Sequence, residues 1–118
     1  MVVAPGKPFF TPDRPGDHWL AVPAGKDATP CRLLVPEGLA KDTPVPLVVA
    51  LHGAGGSENM FFESYGAGHI VRECQKRGWL LVAPRCGLLG LPPVAEVIDK
   101  LAERYPIDPK RVFLVGHS

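Results

Sequence analysis

Two short segments of the sequence contain residue types that could attack a carbonyl group and stabilise the resulting charge. One is Gly116-His117-Ser118, and the other is His52 followed by the small residues 53–56. This chemistry needs a hydroxyl held out on a tight turn between a strand and a helix, and backbone N–H groups directed at the oxyanion. A glycine before the serine suits such a turn, because close packing there leaves little room for a side chain, and small loop residues let a substrate approach the backbone. Both segments are therefore candidates for a reaction centre.

The elements that must position these segments follow from three apolar runs without polar alternation. Leu47–Leu51, Trp79–Ala83 and Val112–Val115 predict strands that are buried on both faces. The order strand, helix, strand, helix, strand predicts an α/β fold with right-handed crossovers, a mainly parallel sheet and helices on both faces. Ligands of such sheets collect beyond the carboxyl ends of the strands, and the two candidate segments follow the first and third runs.

Apolar residues at helical spacing fill the two intervals between these strands. The first predicted helix begins at Ser57 and is interrupted at Gly66–Gly68, because glycine weakens a helix. The second begins at Pro92 or Pro93 and is stopped by the segment 106–109. Its predicted apolar face consists of Val94, Val97, Ile98, Leu101 and Tyr105.

The N-terminal part of the chain has a different pattern of residue types. Residues 1–17 are punctuated by prolines and are expected to form an irregular leader before a single domain in residues 18–118. The runs HWLAVPAG, from His18, and CRLLVPEG, from Cys31, predict a strand pair at an edge of the sheet.

Three stretches resemble the N-terminal half of an α/β-hydrolase: PLVVALHGAGGS (46–57), GWLLVAPR (78–85) and YPIDPKRVFLVGHS (105–118). The resemblance covers roughly residues 18–118, and it is closest to esterases and to polyhydroxyalkanoate-depolymerase-like or prolyl-oligopeptidase-like hydrolases. A G-x-S motif alone is a weak signal. Together with HGxGG after a buried strand, in this order along one sheet, it is a strong one. The resemblance implies an incomplete α/β-hydrolase fold.

The resemblance also implies roles for particular residues. In these families the last segment continues as G-H-S-x-G with the serine as nucleophile, which corresponds to Ser118 here. Ala54 would donate one N–H to the oxyanion, with Gly55 a less favoured donor and Gly53 in the same loop. The triad acid and histidine follow the serine in this fold, so we expect the chain to be part of a longer protein and inactive alone. The strand Val112–Val115 is then expected in the middle of the complete sheet and as an exposed apolar edge in this chain. No metal or organic cofactor is implied.

None of the four histidines is a good candidate for the triad base. His52 is interpreted as a residue that braces its loop, and His117 adjoins the serine on too tight a turn to reach its hydroxyl. His18 and His69 are expected to be ordinary surface or half-buried residues. A phosphate-binding loop at Gly53–Gly56 is disfavoured because the GxxxxGK[ST] arrangement is absent.

Two further groups could line a substrate pocket. Phe61, Phe62 and Tyr65 could border an acyl pocket, although aromatic residues along a helix more often belong to the core. The loop from Arg85 to Leu91 could line the substrate entrance.

Composition limits the possible partners. The formal net charge is +1 without a basic block, so electrostatics give no reason to propose nucleic acid or an anionic membrane. The longest apolar run is far shorter than the ~20 residues of a membrane-spanning helix, and the N-terminus does not resemble a signal peptide. Cys31, Cys74 and Cys86 are predicted to be small buried hydrophobes in a reducing compartment. The expected location is cytoplasmic.

Three functional hypotheses follow. The first is a serine hydrolase that acts on small-molecule carboxylic esters. The second keeps the fold and makes the protein a serine peptidase of the prolyl-oligopeptidase type, or an acyltransferase. The third is a catalytically inactive binding or scaffolding module. The sequence leaves the oligomeric state open.

Overall fold

Five strands and two helices make up the described part of the chain. The computed structural model describes residues 15–24, 27–40, 42–52, 68–85 and 93–116. In chain order the elements are β1 (Gly16–Ala24), β2 (Asp27–Val35), β3 (Val45–Leu51), α1 (His69–Arg77), β4 (Leu80–Pro84), α2 (Val94–Ala102) and β5 (Ile107–Gly116). The predicted alternation of strands and helices after an N-terminal strand pair is confirmed.

The five strands form one sheet in the order β1-β2-β4-β3-β5. β3 lies between β4 and β5 and is parallel to both. β2 pairs antiparallel with β4, and β1 pairs antiparallel with β2 at the edge of the sheet. The sheet is therefore mixed: it is parallel where the three predicted buried strands meet and antiparallel where the predicted N-terminal strand pair joins.

The two helices cover opposite faces of the sheet. The chain passes from β3 through α1 to β4 on one side, then back past β3 through α2 to β5 on the other. Because such crossovers share one hand and these two run in opposite directions, their helices belong on opposite faces. Val97 and Leu101 of α2 accordingly belong to one apolar core, and Cys74 of α1 belongs to a second core.

The continuous apolar run of β3 is explained by burial on both faces. Leu47 and Val49 contribute to the core under α2, whereas Val48 and Ala50 contribute to the core under α1. Consecutive side chains of a strand point to opposite faces, so a strand covered on both sides has no position for a solvated polar residue.

Glycines with left-handed backbone flank α1. The helix ends at Arg77, Gly78 follows it with φ of 73°, and the Trp79 N–H donates to the carbonyl of Cys74 at 2.9 Å. The Gly78 N–H is also directed at the carbonyls of Cys74 and Gln75, so the two residues after the helix satisfy its last carbonyls. The helix begins after Gly68, while the earlier start predicted at Ser57 lies outside the described residues. Neither helix of the described ranges has the length and hydropathy needed to cross a membrane.

The second helix and the last strand have boundaries that differ from the predicted ones. α2 ends at Ala102, and Tyr105 lies in the turn beyond it, where its N–H donates to the Leu101 carbonyl at 2.9 Å. The Tyr105 side chain is nevertheless buried in the core under α2, which explains why it matched the helical spacing. β5 begins at Ile107 rather than Val112.

β5 forms an outer edge of the sheet in the described part of the chain. Phe113 is 44% exposed and Leu114 is 63% exposed. Because they are consecutive, their side chains point to opposite faces of the sheet. The exposed apolar edge expected for residues 112–115 in this chain is therefore confirmed, whereas their burial on both faces is not observed among the described residues.

Candidate active site

The carboxyl ends of β3 and β5 lie side by side. They form part of the edge of the sheet that runs across the strand ends, as distinct from the outer strands. The two strands are parallel neighbours, with Ala50 opposite Val115 and Leu51 opposite Gly116. Neighbouring strands are about 4.8 Å apart, so the chain leaves the sheet after Leu51 and after Gly116 at adjacent points. This is the edge at which ligands of parallel sheets collect. Residues 52 and 116 are distant in sequence, and the strand order makes them neighbours.

The candidate nucleophile and oxyanion loop themselves lie outside the described residues. This holds for Ser118 and for Gly53, Ala54 and Gly55. It also holds for His117 and for the aromatic residues predicted at a possible acyl pocket, Phe61, Phe62 and Tyr65. The structure places the strands that precede both segments, and the proximity of the segments stays a prediction.

His52 is the described residue that adjoins the predicted oxyanion loop. It directly follows β3 and is only 6% exposed. Buried polar side chains are normally hydrogen-bonded, and such contacts fix the local backbone. The burial of His52 is therefore compatible with the interpretation that its imidazole braces the loop.

The other two described histidines do not lie at the ends of β3 or β5. His18 is on β1, which is separated from β5 by three strands. His69 is the first residue of α1, and its Nε2 lies 3.6 Å from Oε1 of Glu73 on the exposed helix surface. Both agree with the expectation of ordinary surface or half-buried residues.

The surroundings of Gly116 differ from the expectation of close packing at the glycine before the serine. An ideal Cβ placed on Gly116 would meet no heavy atom within 4 Å in the described part of the chain. Its backbone is also outside the left-handed region, since only Gly16, Gly38, Gly68 and Gly78 have positive φ among the described glycines. The reason is the position of β5 at the sheet edge, where no further element of the described ranges packs.

β4 brings a third strand end to the same edge. It is parallel to β3, with Val49 opposite Val82. Arg85, immediately after β4, is exposed, and its N–H donates to the Pro30 carbonyl at 2.8 Å. The predicted entrance loop therefore starts at the edge where β3 and β5 end, while its residues from 86 to Leu91 lie outside the described part.

A charged cluster on β1 and β2 was missed by the sequence analysis. Arg32 is only 6% exposed, its Nε donates to Oδ1 of Asp17 at 2.8 Å, and its Nη2 pairs with Oδ2 of the same carboxylate. The guanidinium also lies 4.2 Å from the centre of the Trp19 ring. An arginine inside an apolar strand run was the available signal for this cluster. The cluster lies on β1 and β2, the two strands farthest from β5. It therefore stabilises this outer strand pair and not the candidate site.

The described cysteines are buried and carry reduced thiols. Burial raises the pKa of Cys74 to about 11, while the nearby Arg77 lowers it and Glu73 raises it. A thiol that stays neutral at physiological pH is a poor nucleophile. Cys31 and Cys74 therefore match the predicted small buried hydrophobes, and Cys86 lies outside the described residues. Across the described ranges, no three His, Cys, Asp or Glu side chains could together hold a metal ion.

No protein-family model matches the chain. Several solved structures share its fold. S-formylglutathione hydrolase (FrmB) from Staphylococcus aureus is 18% identical with a TM-score of 0.70, over 90% of this chain and 48% of that chain. A thermostable esterase is 24% identical with a TM-score of 0.66, over 94% and 34% of the respective chains. S-formylglutathione hydrolase from Agrobacterium tumefaciens is 15% identical with a TM-score of 0.66, over 95% and 53%.

These similarities show the fold. The chain has the architecture of part of an α/β-hydrolase, as the resemblance implied. It spans about a third to a half of the length of the solved structures that it matches.

Proposed function

We propose that this part of an α/β-hydrolase fold belongs to a serine hydrolase of carboxylic esters. Ser118 is the proposed nucleophile, and the Ala54 N–H is the proposed oxyanion donor, with Gly53 and Gly55 keeping that loop open to substrate. The observation that carries the proposal is the parallel pairing of β3 and β5, with Leu51 opposite Gly116. A loop that follows β3 and a turn that follows β5 then start side by side.

In the proposed acyl transfer, the segment after β5 supplies the nucleophile and the loop after β3 stabilises the oxyanion. The Ser118 Oγ attacks the ester carbonyl carbon, its proton passes to a general base, and the carbonyl oxygen becomes an oxyanion. Backbone N–H groups near Ala54 stabilise that oxyanion, and loss of one such donor typically costs about 10²–10³ in kcat. The alcohol then leaves, and water releases the acyl group in a second step.

The base and its acid partner are proposed to come from polypeptide outside these 118 residues. His18 lies across the sheet, and His69 is solvent-exposed beside Glu73. His52 is buried where β3 ends, and it is proposed to brace the loop that follows. The greater length of the solved hydrolase structures leaves room for these groups.

The substrate class is inferred from the same comparisons. The solved structures that share the fold include a thermostable esterase and two S-formylglutathione hydrolases. A small-molecule carboxylic ester is the substrate class that agrees with these proteins and with the proposed nucleophile. The proposed chemistry uses backbone donors and side chains, with no metal or organic cofactor.

The test uses the protein expressed from its complete reading frame. A fluorophosphonate probe should label the wild-type protein, and labelling should disappear in Ser118→Ala, because only an activated serine hydroxyl reacts with the probe. Hydrolysis of p-nitrophenyl acetate should fall together with labelling, by as much as about 10⁶ in kcat.

A matched control removes a hydroxyl elsewhere. Thr43 is exposed and lies just before β3, at the opposite edge of the sheet from the candidate site. Thr43→Ala should keep full labelling and full activity. Labelling that persists in Ser118→Ala would overturn the assignment of the nucleophile. A folded wild-type protein with neither labelling nor ester hydrolysis would overturn the proposed function in favour of a binding module.

A further inference from the structure

We draw no further inference here: the strongest candidate, the apolar cavity of about 230 Å³ between α1 and the outer strand β5, lined by Val48, Ile70, Cys74, Trp79 and Phe113, carries none because nothing in the structure shows what covers it.

Discussion

The exposed edge at β5 predicts that the 118-residue chain self-associates, and Leu114→Lys tests this. An outer strand with unpaired backbone groups and apolar side chains is a template for pairing with another chain. Leu114 is 63% exposed and Phe113, on the other face, is 44% exposed. A lysine at position 114 would place a charge in any contact that covers this face.

The expected loss of association free energy follows from the exposed fraction of Leu114. Burying a whole leucine side chain contributes about 1.5–3 kcal/mol, so the 63% that remains exposed can contribute about 1–2 kcal/mol to association. A symmetric pair buries two copies, which gives about 2–4 kcal/mol. We therefore expect Leu114→Lys to weaken self-association by roughly 30- to 1000-fold, since 1.4 kcal/mol corresponds to about tenfold.

Sedimentation velocity over a range of concentrations measures this change. Ala102→Lys is the matched control, because Ala102 is exposed at the end of α2 and the substitution adds the same charge away from Phe113 and Leu114. The control should associate like the wild-type chain. A wild-type chain that remains a monomer at high concentration, or a Leu114→Lys variant that associates as strongly as Ala102→Lys, would refute the reasoning.

Three further predictions concern a helix end, a thiol and the proposed oxyanion loop. Gly78→Ala should lower the free energy of unfolding by about 1–2 kcal/mol in urea titrations, because the left-handed backbone there disfavours a residue with a Cβ. A steric clash is not the cause, since a Cβ at this position meets no atom within 4 Å. Gly116→Ala, with equal space and no positive φ, should cause no such loss, and equal losses would contradict this explanation. The folded-state pKa of the Cys74 thiol, about 11, lies above its ordinary value of 9.0, so its contribution to stability is complete below pH 9 and is lost as the pH rises towards 11. Urea midpoints should therefore fall more steeply over this range in the wild type than in Cys74→Ala, and parallel slopes would speak against it. In the complete protein, Ala54→Pro removes the proposed oxyanion N–H and should reduce kcat about 10²–10³-fold with little change in KM, whereas Ala54→Ser should keep kcat. Equal kcat values for the two variants would rule out that donor.

The parallel centre of the sheet was predictable because each strand there carries its own signal. Val48 and Val49 face different cores, so both must be apolar, and an uninterrupted apolar run is what the sequence contains. Gly78 likewise marks a helix end because its left-handed backbone disfavours any residue with a Cβ. In both cases a local physical requirement restricts the residue type at that position.

Features that depend on tertiary contacts were not predictable in the same way. Tyr105 enters the core from a turn, and periodicity cannot distinguish that placement from a helix that continues to this residue. Arg32 is buried because Asp17 and Trp19 face it from the neighbouring strand, and this pairing depends on the register of β1 and β2. The candidate site shares this dependence, because HGxGG and G-x-S indicate chemistry only when two distant strands become neighbours.

The register between β3 and β5 is therefore the structural feature on which the proposed site depends. Val45 pairs with Ile107 and Leu47 pairs with Val112, so Pro46 alone lies opposite the four residues 108–111. These four residues form a local excursion: Asp108 accepts hydrogen bonds from the backbone N–H of Lys110 and from the Arg111 side chain.

The excursion absorbs extra residues after α2. The pairing of β3 with β5 at the candidate site therefore does not depend on the length of that connection. Arg111 also donates to the Pro44 carbonyl at 3.3 Å, which ties the excursion to the start of β3. The strand beyond it then pairs without a further shift up to Leu51 and Gly116. A slip of one residue in that last stretch would move Gly116 by about 3.3 Å and turn the following side chains to the other face. The uninterrupted pairing between Leu47 and Leu51 is thus what the proposed approach of Ser118 to the loop after His52 requires.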